Sequence, residues 1–156
     1  MRLSDYLEPG LVILDLGTRT TEETIAALVD HLAASGRLDD PESVRKGLVE
    51  REESHTTSLG NGVALPHTTV SGLNRPLLLV AVSPEGVPFG PDGEASLPDR
   101  LFFLLLSPLD QAGTHIKLLA RIVRLVRSPA FVEALVSAES GEALLHEIER
   151  EDALHV

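Results

Sequence analysis

Two uninterrupted apolar runs of strand length, Leu77–Val82 and Leu101–Leu106, constrain the fold of this chain more than any other feature. Neither run approaches the roughly 20 apolar residues that a membrane-spanning helix needs. Both have the length of a buried strand, and Leu101–Leu106 is predicted to be the most buried one. Shorter apolar segments at Val12–Leu16 and Val63–Leu65 predict two further strands. Together the four segments predict a sheet.

Amphipathic segments between and after these strands begin with helix start signals. Thr20 and Glu23, for example, form a capping-box pattern. The predicted helices run from the Thr20 cap to Gly36, from Asp40–Pro41 to about Arg51, from the Thr114 cap to about Val126, from Ser128–Pro129 onwards, and from about Glu142 to Ile148. The stretch from Pro84 to Gly93, rich in proline and glycine, predicts a turn-rich connection. Alternating strands and helices predict one α/β domain over residues 1–156, with helices on both faces of the sheet.

The charge of the chain disfavours some partners and is unevenly distributed. The formal net charge is −11, which argues against nucleic acid and against an anionic membrane surface. Residues 1–53 and 133–156 each carry a net charge of −6, whereas residues 54–132 carry +1. An anion is repelled least by the middle of the chain, so we expect the chemistry to lie there.

Two features of the composition narrow the class of protein further. The chain has no cysteine, which excludes disulfides, thiolate metal sites and a cysteine nucleophile, and fits a reducing compartment. Aromatic residues make up only 3%, so we expect a core of Leu, Val, Ile and Ala. Asp5 and Glu8 interrupt any apolar stretch at the start of the chain, so no signal peptide is predicted there. We therefore expect a soluble, cytoplasmic domain without direct membrane insertion.

The segment from Arg51 to His67 contains the residues best suited to chemistry. Gly60-Asn61-Gly62 favours positive φ and brings backbone N–H groups close to a neighbouring group. Pro66 then restricts the chain just before His67. A histidine held in this way can act as a nucleophile, a general base or a metal ligand. A lone histidine at such a position is more often one that simply caps a loop.

The run Thr57–His67, with Gly60-Asn61-Gly62-Val63-Ala64-Leu65-Pro66-His67 at its centre, resembles a known active-site signature. It is that of the enzyme IIA component of the phosphoenolpyruvate-dependent sugar phosphotransferase system, of the fructose/mannitol type, which includes the nitrogen-regulatory IIA proteins. The similarity extends to Arg51-Glu52, to Pro84–Gly90 and to the passage from Leu104 to Leu119. It implies a mixed, roughly five-stranded sheet between helices.

The resemblance also implies roles for single residues. His67 would accept a phosphoryl group on Nε2 from the phosphocarrier HPr and pass it to a cysteine of enzyme IIB, which serves the membrane permease IIC. His115 matches the family's second active-site histidine, which supports the phosphoryl group, and Arg51 matches an arginine near the site. No cofactor and no metal is implied. Thr57 and Asn61 are binding candidates, although Thr57 could instead bond the loop backbone and Asn61 could serve only the turn.

Beyond these residues, we expect a shallow apolar patch around His67 as the contact face for HPr and enzyme IIB, with cations such as Arg75 or Arg121 at its rim. The remaining histidines are expected to take no part: His31, His55, His146 and His155. Two departures from the family pattern leave the subfamily open. Ser58 stands where glycine is frequent, and Thr68-Thr69 stands where many members have Gly-Lys.

Other interpretations remain open at the level of sequence. The chain could be a regulator of the same fold, in which phosphorylation of His67 controls binding to a kinase, transporter or transcription factor. His55, His67 and His115 could hold a metal ion, although their spacing matches no known ligand pattern. A serine hydrolase is disfavoured because the chain has no Gly-x-Ser-x-Gly motif. Arg51 could simply complement the dipole at a helix end.

Overall fold

The two long apolar runs form the central pair of a mixed five-stranded sheet in the computed structural model, which describes residues 1–89 and 97–155. The strands are β1 (Val12–Ile13), β2 (Val63–Ala64), β3 (His67–Val70), β4 (Leu77–Val87) and β5 (Asp99–Pro108). The helices are α1 (Thr21–Ala34), α2 (Pro41–Ser54), α3 (Ala112–Leu125), α4 (Pro129–Val136) and α5 (Gly141–Leu154). Within the described residues, no helix combines the length and apolarity needed to cross a bilayer.

The pairing of the strands places His67 at the start of β3. The sheet order is β1-β4-β5-β2, with β3 also paired to β5. β4 and β5 are antiparallel, whereas β1, β2 and β3 run parallel to their partners. β2 and β3 follow one another along β5, so Val63 lies opposite Leu101 and His67 lies opposite Leu105. The break between β2 and β3 comes at Leu65-Pro66.

The side chains of β4 and β5 alternate between two hydrophobic cores, one on each face of the sheet. Leu101, Phe103 and Leu105 pack towards α3, α4 and α5. Phe102, Leu104 and their neighbours pack towards α1 and α2. Helices therefore cover both faces, as predicted. The core is not purely aliphatic, because all four phenylalanines of the chain are buried: Phe89, Phe102, Phe103 and Phe131.

Three of the predicted helix starts are confirmed. Thr20 caps α1, Asp40 caps α2 and Ser128 caps α4, each side chain accepting a backbone N–H three residues on. The predicted Thr114 cap is wrong, since α3 begins at Ala112 with Gln111 in the cap position. α2 and α5 both run further than predicted, to Ser54 and Leu154.

The strand ends differ more from the prediction than the helix starts do. β1 covers only Val12–Ile13, and β3 was not predicted at all. β4 continues to Val87, through the first part of the predicted turn-rich connection, with an irregularity between Val82 and Val87. The rest of that connection, Gly90, Pro91 and Gly93 included, lies outside the described residues.

Candidate active site

Both ring nitrogens of His67 make hydrogen bonds. Nδ1 lies 2.7 Å from the carbonyl oxygen of Leu65, and because a carbonyl can only accept, Nδ1 carries the proton. Nε2 then has the lone pair, and Nη2 of Arg51 donates to it at 3.0 Å. The Leu65 carbonyl thus selects the tautomer in which Nε2 is a potential nucleophile.

Arg51 reaches His67 from the last turn of α2. A cation in that position is also favoured by the helix dipole. Arg51 can therefore both contact His67 and complement the end of α2. The 3.0 Å contact to Nε2 brings the guanidinium to the atom where a transferred group would be attached. Arg51 therefore contacts His67 directly and is not only a helix-end charge.

His115 lies beside His67, on α3. The ring centroids are 5.6 Å apart and the ring planes are tilted by 49°. Nδ1 of His115 lies 2.6 Å from Oγ of Ser107, a fully buried residue of β5. The backbone N–H of His115 donates to the carbonyl of Gln111. His115 is the fourth residue of α3, because the helix begins at Ala112 and not after the predicted Thr114 cap.

Burial lowers the pKa of both histidines below the ordinary value. For His67 the charge of Arg51 lowers the pKa further, while the hydrogen bond to Leu65 opposes the change. For His115 the charges of His67 and Arg51 add to the lowering. Both rings are thus neutral at physiological pH, which leaves the Nε2 lone pair of His67 unprotonated.

We expect an NMR titration to give midpoints below the ordinary histidine value of about 6.5 for His67 and His115. In Arg51→Ala the midpoint for His67 should rise, because one of the two influences that lower it is removed, but burial should keep it below 6.5. The control is Arg45→Ala on the same helix, whose guanidinium pairs with Glu42. A wild-type midpoint for His67 at or above 6.5 would contradict this prediction.

The loop before β2 turns at two glycines, as predicted. Gly60 and Gly62 have φ of 83° and 85°, a region that side chains with Cβ rarely adopt. The N–H of Leu65 donates to the carbonyl of Thr57 at 3.1 Å, across the base of the turn. The turn therefore brings Thr57 next to the residue whose carbonyl holds His67.

Asn61, at the tip of this turn, bonds to α3. Its Nδ2 donates to the carbonyl of Val126, at the C-terminal end of that helix, at 3.1 Å. This contact ties the loop to the helix that carries His115. A direct contact between Asn61 and a phosphate stays a prediction.

Thr57 bonds to a buried carboxylate. Its hydroxyl donates to Oε1 of Glu52 at 2.7 Å, and its backbone N–H donates to Oε2 at 2.5 Å. The hydroxyl therefore bonds a side chain and not the loop backbone. A role for Thr57 in binding phosphate stays a prediction.

Asp99, the first residue of β5, is a second buried carboxylate near this loop. It is fully buried, and neither carboxylate oxygen has a hydrogen-bond partner among the described residues. Burial raises the pKa of Asp99 to about 6, the negative charge of Glu52 adds to the rise, and the nearby hydroxyl of Ser58 opposes it. The ionised form of Asp99 therefore costs folding stability at neutral pH.

We expect Asp99→Asn to raise the free energy of unfolding at neutral pH and to change it little at about pH 4. The folded protein holds the Asp99 proton up to a pH of about 6, whereas an unfolded aspartate releases its proton near about 3.9. The contribution of Asp99 to wild-type stability therefore falls as pH rises through this window. The full difference is about 3 kcal/mol, reduced by whatever the buried amide costs.

Chemical denaturation of both proteins at the two pH values measures this effect. Asp110→Asn, at an exposed position of the turn after β5, is the matched control, and a surface substitution of this kind should change the free energy of unfolding little at either pH. An effect of Asp99→Asn that is equal at both pH values would show that the proton on Asp99 is not its cause.

Two arginines that were expected at the rim of the site are held by contacts elsewhere. Nη2 of Arg75 donates to the carbonyl of Asp5, and its guanidinium lies 4.7 Å from the centre of the Tyr6 ring. Nε of Arg121 lies 2.9 Å from Oδ1 of Asp152, which is fully buried. These contacts tie the two arginines to the N-terminal segment and to α5, and a rim role for either of them stays a prediction.

Two of the other histidines are bonded to residues outside the cluster of His67, Arg51 and His115. His31 bonds to the carbonyl of Gly10, and His155 bonds to Glu151. In the part of the chain that the structure describes, no three histidine, aspartate or glutamate side chains are grouped so as to hold a metal ion. The alternative of a metal site built from His55, His67 and His115 is therefore not supported.

Three residues that shape the site were not predicted: Glu52, Asp99 and Ser107. A signal for Glu52 exists in the sequence, because it follows Val44 and Leu48 at a spacing of four on the apolar face of α2. A carboxylate on such a face needs a partner. No comparable pattern identifies Asp99 or Ser107, because the residues that bury Asp99 and the histidine that bonds Ser107 belong to other elements.

Fold and site together define a class of protein: an α/β domain whose mixed sheet brings a neutral histidine, an arginine and a second histidine together. The family described as "Phosphoenolpyruvate-dependent sugar phosphotransferase system, EIIA 2" matches residues 5–151. The chain belongs to this family. Its members carry out phosphotransfer in that system or act as regulatory IIA proteins, and this chain has one of these two roles.

Individual relatives agree with this membership. The chain is 31% identical to the fructose-specific EIIA component of Haloferax volcanii, over 86% of each chain. It superimposes on the nitrogen regulatory protein IIA-Ntr of Neisseria meningitidis with a TM-score of 0.82 and 25% identity, covering 94% of this chain and 98% of that one. It also shares the fold of the Escherichia coli mannitol IIA, solved in complex with phosphorylated enzyme IIB, with a TM-score of 0.74, 21% identity and coverage of 92% and 97%.

Proposed function

We propose that the chain is a cytoplasmic phosphocarrier, with residues 1–156 acting as one IIA domain. It accepts a phosphoryl group on Nε2 of His67 from phosphorylated HPr and donates it to a cysteine of enzyme IIB during sugar uptake. The membrane permease IIC is served only indirectly, through IIB. The observation that carries this proposal is the bond from Nδ1 of His67 to the Leu65 carbonyl, which leaves the lone pair on Nε2.

In the first transfer the Nε2 lone pair attacks phosphorus and an N–P bond forms. The bond between phosphorus and the donor breaks, and its electron pair leaves with the donor. The proton of His67 stays on Nδ1, so the phosphorylated ring carries a positive charge that the Leu65 carbonyl stabilises. The Arg51 N–H must turn away from the lone pair as phosphorus approaches, and the guanidinium then binds the phosphoryl oxygens.

Arg51 and His115 stabilise the transferred group in this mechanism. A charge-assisted hydrogen bond from the guanidinium contributes on the order of 1.5–3 kcal/mol. Nδ1 of His115 is already bonded to Ser107, so Nε2 is the ring nitrogen left for a phosphoryl oxygen. Phosphoryl transfer depends mainly on positioning and charge stabilisation, which these two residues would supply.

In the second transfer a cysteine thiolate of enzyme IIB attacks phosphorus. An S–P bond forms, the N–P bond breaks, and the electron pair returns to Nε2 of His67, which restores the neutral ring. The stabilisation of the phosphorylated state must therefore stay moderate. The complex of the Escherichia coli mannitol IIA with its phosphorylated IIB supports a partner of this kind for the present chain.

Exposed apolar side chains on the elements that carry the site support a docking face for both partners. Leu59 lies in the glycine turn, Leu109 lies in the turn after β5, and Ile116 follows His115 on α3; all three are exposed. Apolar side chains left in solvent around a reactive group are typical of interaction sites. The contact face is thus proposed to be an apolar patch that includes these three side chains.

A regulatory function is the second candidate, and the similarity to the nitrogen regulatory protein of Neisseria meningitidis favours it. In that case His67 is phosphorylated in the same way, but the phosphorylated protein binds a kinase, transporter or transcription factor. The two functions differ in what happens after acceptance. A carrier loses its phosphoryl group to a IIB, whereas a regulator keeps it.

Intact-mass spectrometry at alkaline pH tests the proposal. The protein is incubated with phosphoenolpyruvate, enzyme I and HPr, and we expect an acid-labile gain of one phosphoryl group. Addition of purified enzyme IIB should then remove the added mass if the chain is a carrier. A stable phosphorylated protein would favour the regulatory function, and no mass gain with a cognate HPr would overturn both.

A further inference from the structure

Glu52 is a buried carboxylate for which the proposed transfer has no direct use. It follows Val44 and Leu48 on the core-facing side of α2, and only 1% of its surface is exposed. Burying a carboxylate is costly unless hydrogen bonds satisfy it, and burial raises the pKa of Glu52. The role of Glu52 in the structure therefore depends on its hydrogen-bond partners.

Both carboxylate oxygens of Glu52 bond to Thr57, through the backbone N–H and the hydroxyl. The hydroxyl of Thr56 and the charge of Arg51 also favour the ionised form. The charge of Glu52 in turn raises the pKa of Asp99, the first residue of β5. The net effect of these contacts is to hold the start of the glycine turn against the end of α2.

A continuous set of hydrogen bonds leads from Glu52 to His67. The carbonyl of Thr57 accepts the N–H of Leu65 at 3.1 Å, and the carbonyl of Leu65 accepts Nδ1–H of His67 at 2.7 Å. On the other side of the ring, Nε2 accepts a hydrogen bond from the guanidinium of Arg51, the residue before Glu52. Arg51 thus contacts Nε2 of His67 directly, whereas Glu52, the next residue of α2, acts on Nδ1 through the loop.

We infer that Glu52 is a positioning residue: by binding both donors of Thr57 it sets the Leu65 carbonyl against Nδ1 of His67 while the adjacent Arg51 meets Nε2. The inference rests on the proposed function for its effect on transfer. Its effect on the tautomer of His67 does not depend on that function. Loss of the contact should free the loop and let the imidazole populate both neutral tautomers.

Asp152 provides a control that distinguishes a residue that positions His67 from one that only stabilises the fold. It is also fully buried. Its carboxylate accepts hydrogen bonds from the backbone N–H of Ser4 and from Nε–H of Arg121, and neither residue belongs to the glycine turn. A substitution there removes a buried, bonded carboxylate without touching the loop. A residue that only stabilises the fold should affect His67 no more than Asp152 does.

The experiment compares Glu52→Ala, Glu52→Gln and Asp152→Asn in the full chain. Long-range proton–nitrogen NMR of the unphosphorylated proteins reports which ring nitrogen of His67 carries the proton. Transfer from phosphoramidate, a small donor that needs no docking face, reports the chemistry. We expect Glu52→Ala to lose the Nδ1–H preference and to slow transfer by roughly 10²-fold, the effect of a misplacement of about 1 Å.

Glu52→Gln should restore most of the rate and the tautomer, because its amide oxygen can accept the Thr57 N–H and its amide nitrogen can donate to the Thr57 hydroxyl. Asp152→Asn should change neither, whatever its loss of stability. If Glu52→Ala does not fold, Thr57→Val takes its place, with Thr57→Ser as the variant that restores the hydroxyl. A wild-type tautomer and rate in Glu52→Ala, or in Thr57→Val where it is used, would overturn the inference.

The same experiment distinguishes failure of the proposed function from failure of the positioning role of Glu52. If the wild-type protein accepts no phosphoryl group from either HPr or phosphoramidate, the function fails, while the NMR comparison still decides whether Glu52 sets the tautomer. If wild-type acceptance is normal and the tautomer is unchanged in the Glu52 and Thr57 variants, only the positioning role fails.

Discussion

His67→Ala is expected to abolish phosphoryl acceptance and to leave the fold intact. The substitution removes the nitrogen to which phosphorus would be bonded, and no second residue is expected to replace it. The backbone pairing of position 67 with Leu105 does not require the ring, and the side chain is only half-buried. Intact-mass spectrometry after incubation with phosphoenolpyruvate, enzyme I and HPr measures acceptance, and circular dichroism checks the fold.

The matched control for this substitution is His55→Ala. His55 is exposed at the C-cap of α2, and it should accept nothing in either protein. We expect the His55 variant to gain the same mass as the wild type. Normal acceptance by His67→Ala would refute the proposed site, and a loss caused by His55→Ala would show that the acceptor had been misassigned.

Arg51→Ala is expected to slow the first transfer by on the order of 10²–10³-fold, the loss typical of a preorganised charge stabiliser. The guanidinium stands 3.0 Å from Nε2, so it lies where the phosphoryl oxygens arrive. Arg51→Lys should recover part of the rate, because a lysine keeps the charge but lacks the planar fork that binds two oxygens. Rapid-quench measurement of transfer from phosphorylated HPr to the chain gives the rates.

Arg45→Ala is the control for Arg51→Ala. Arg45 lies on the same helix and pairs with Glu42, so its loss removes one positive charge from α2 without touching His67. Equal rates for the two alanine variants would mean that Arg51 acts only through the overall charge of the helix. A much lower rate for Arg51→Ala alone would show that its contact with Nε2 matters.

Helix starts could be predicted where the cap is a local interaction. Thr20, Asp40 and Ser128 each accept a hydrogen bond from a backbone N–H three residues along the chain. Donor and acceptor therefore both lie within a short sequence motif. The start of α3 could not be predicted in this way. Gln111 stands in the cap position, and its side chain bonds to the carbonyl of Asn74, on a distant part of the chain.

Strands could be predicted where burial makes them apolar throughout. The centres of β4 and β5 were found for this reason, but β3 was not, because His67–Val70 is a half-exposed segment without an apolar pattern. It is a strand only because β5 offers it a parallel partner. The extension of β4 to Val87 has the same origin, since Val87 pairs with Asp99 across a local irregularity.

The sequence by itself determined the features that depend on neighbours along the chain: the positive φ of Gly60 and Gly62, the proline before His67, and the signature that identifies the family. Only the tertiary structure decided the tautomer of His67, its contact with Arg51, and the bond between His115 and Ser107. It also decided that Asp99 is buried and that Glu52 bonds to Thr57. Hydrogen-bond partners and desolvation depend on distances between residues that are far apart in sequence, and those distances exist only once the sheet and helices have packed.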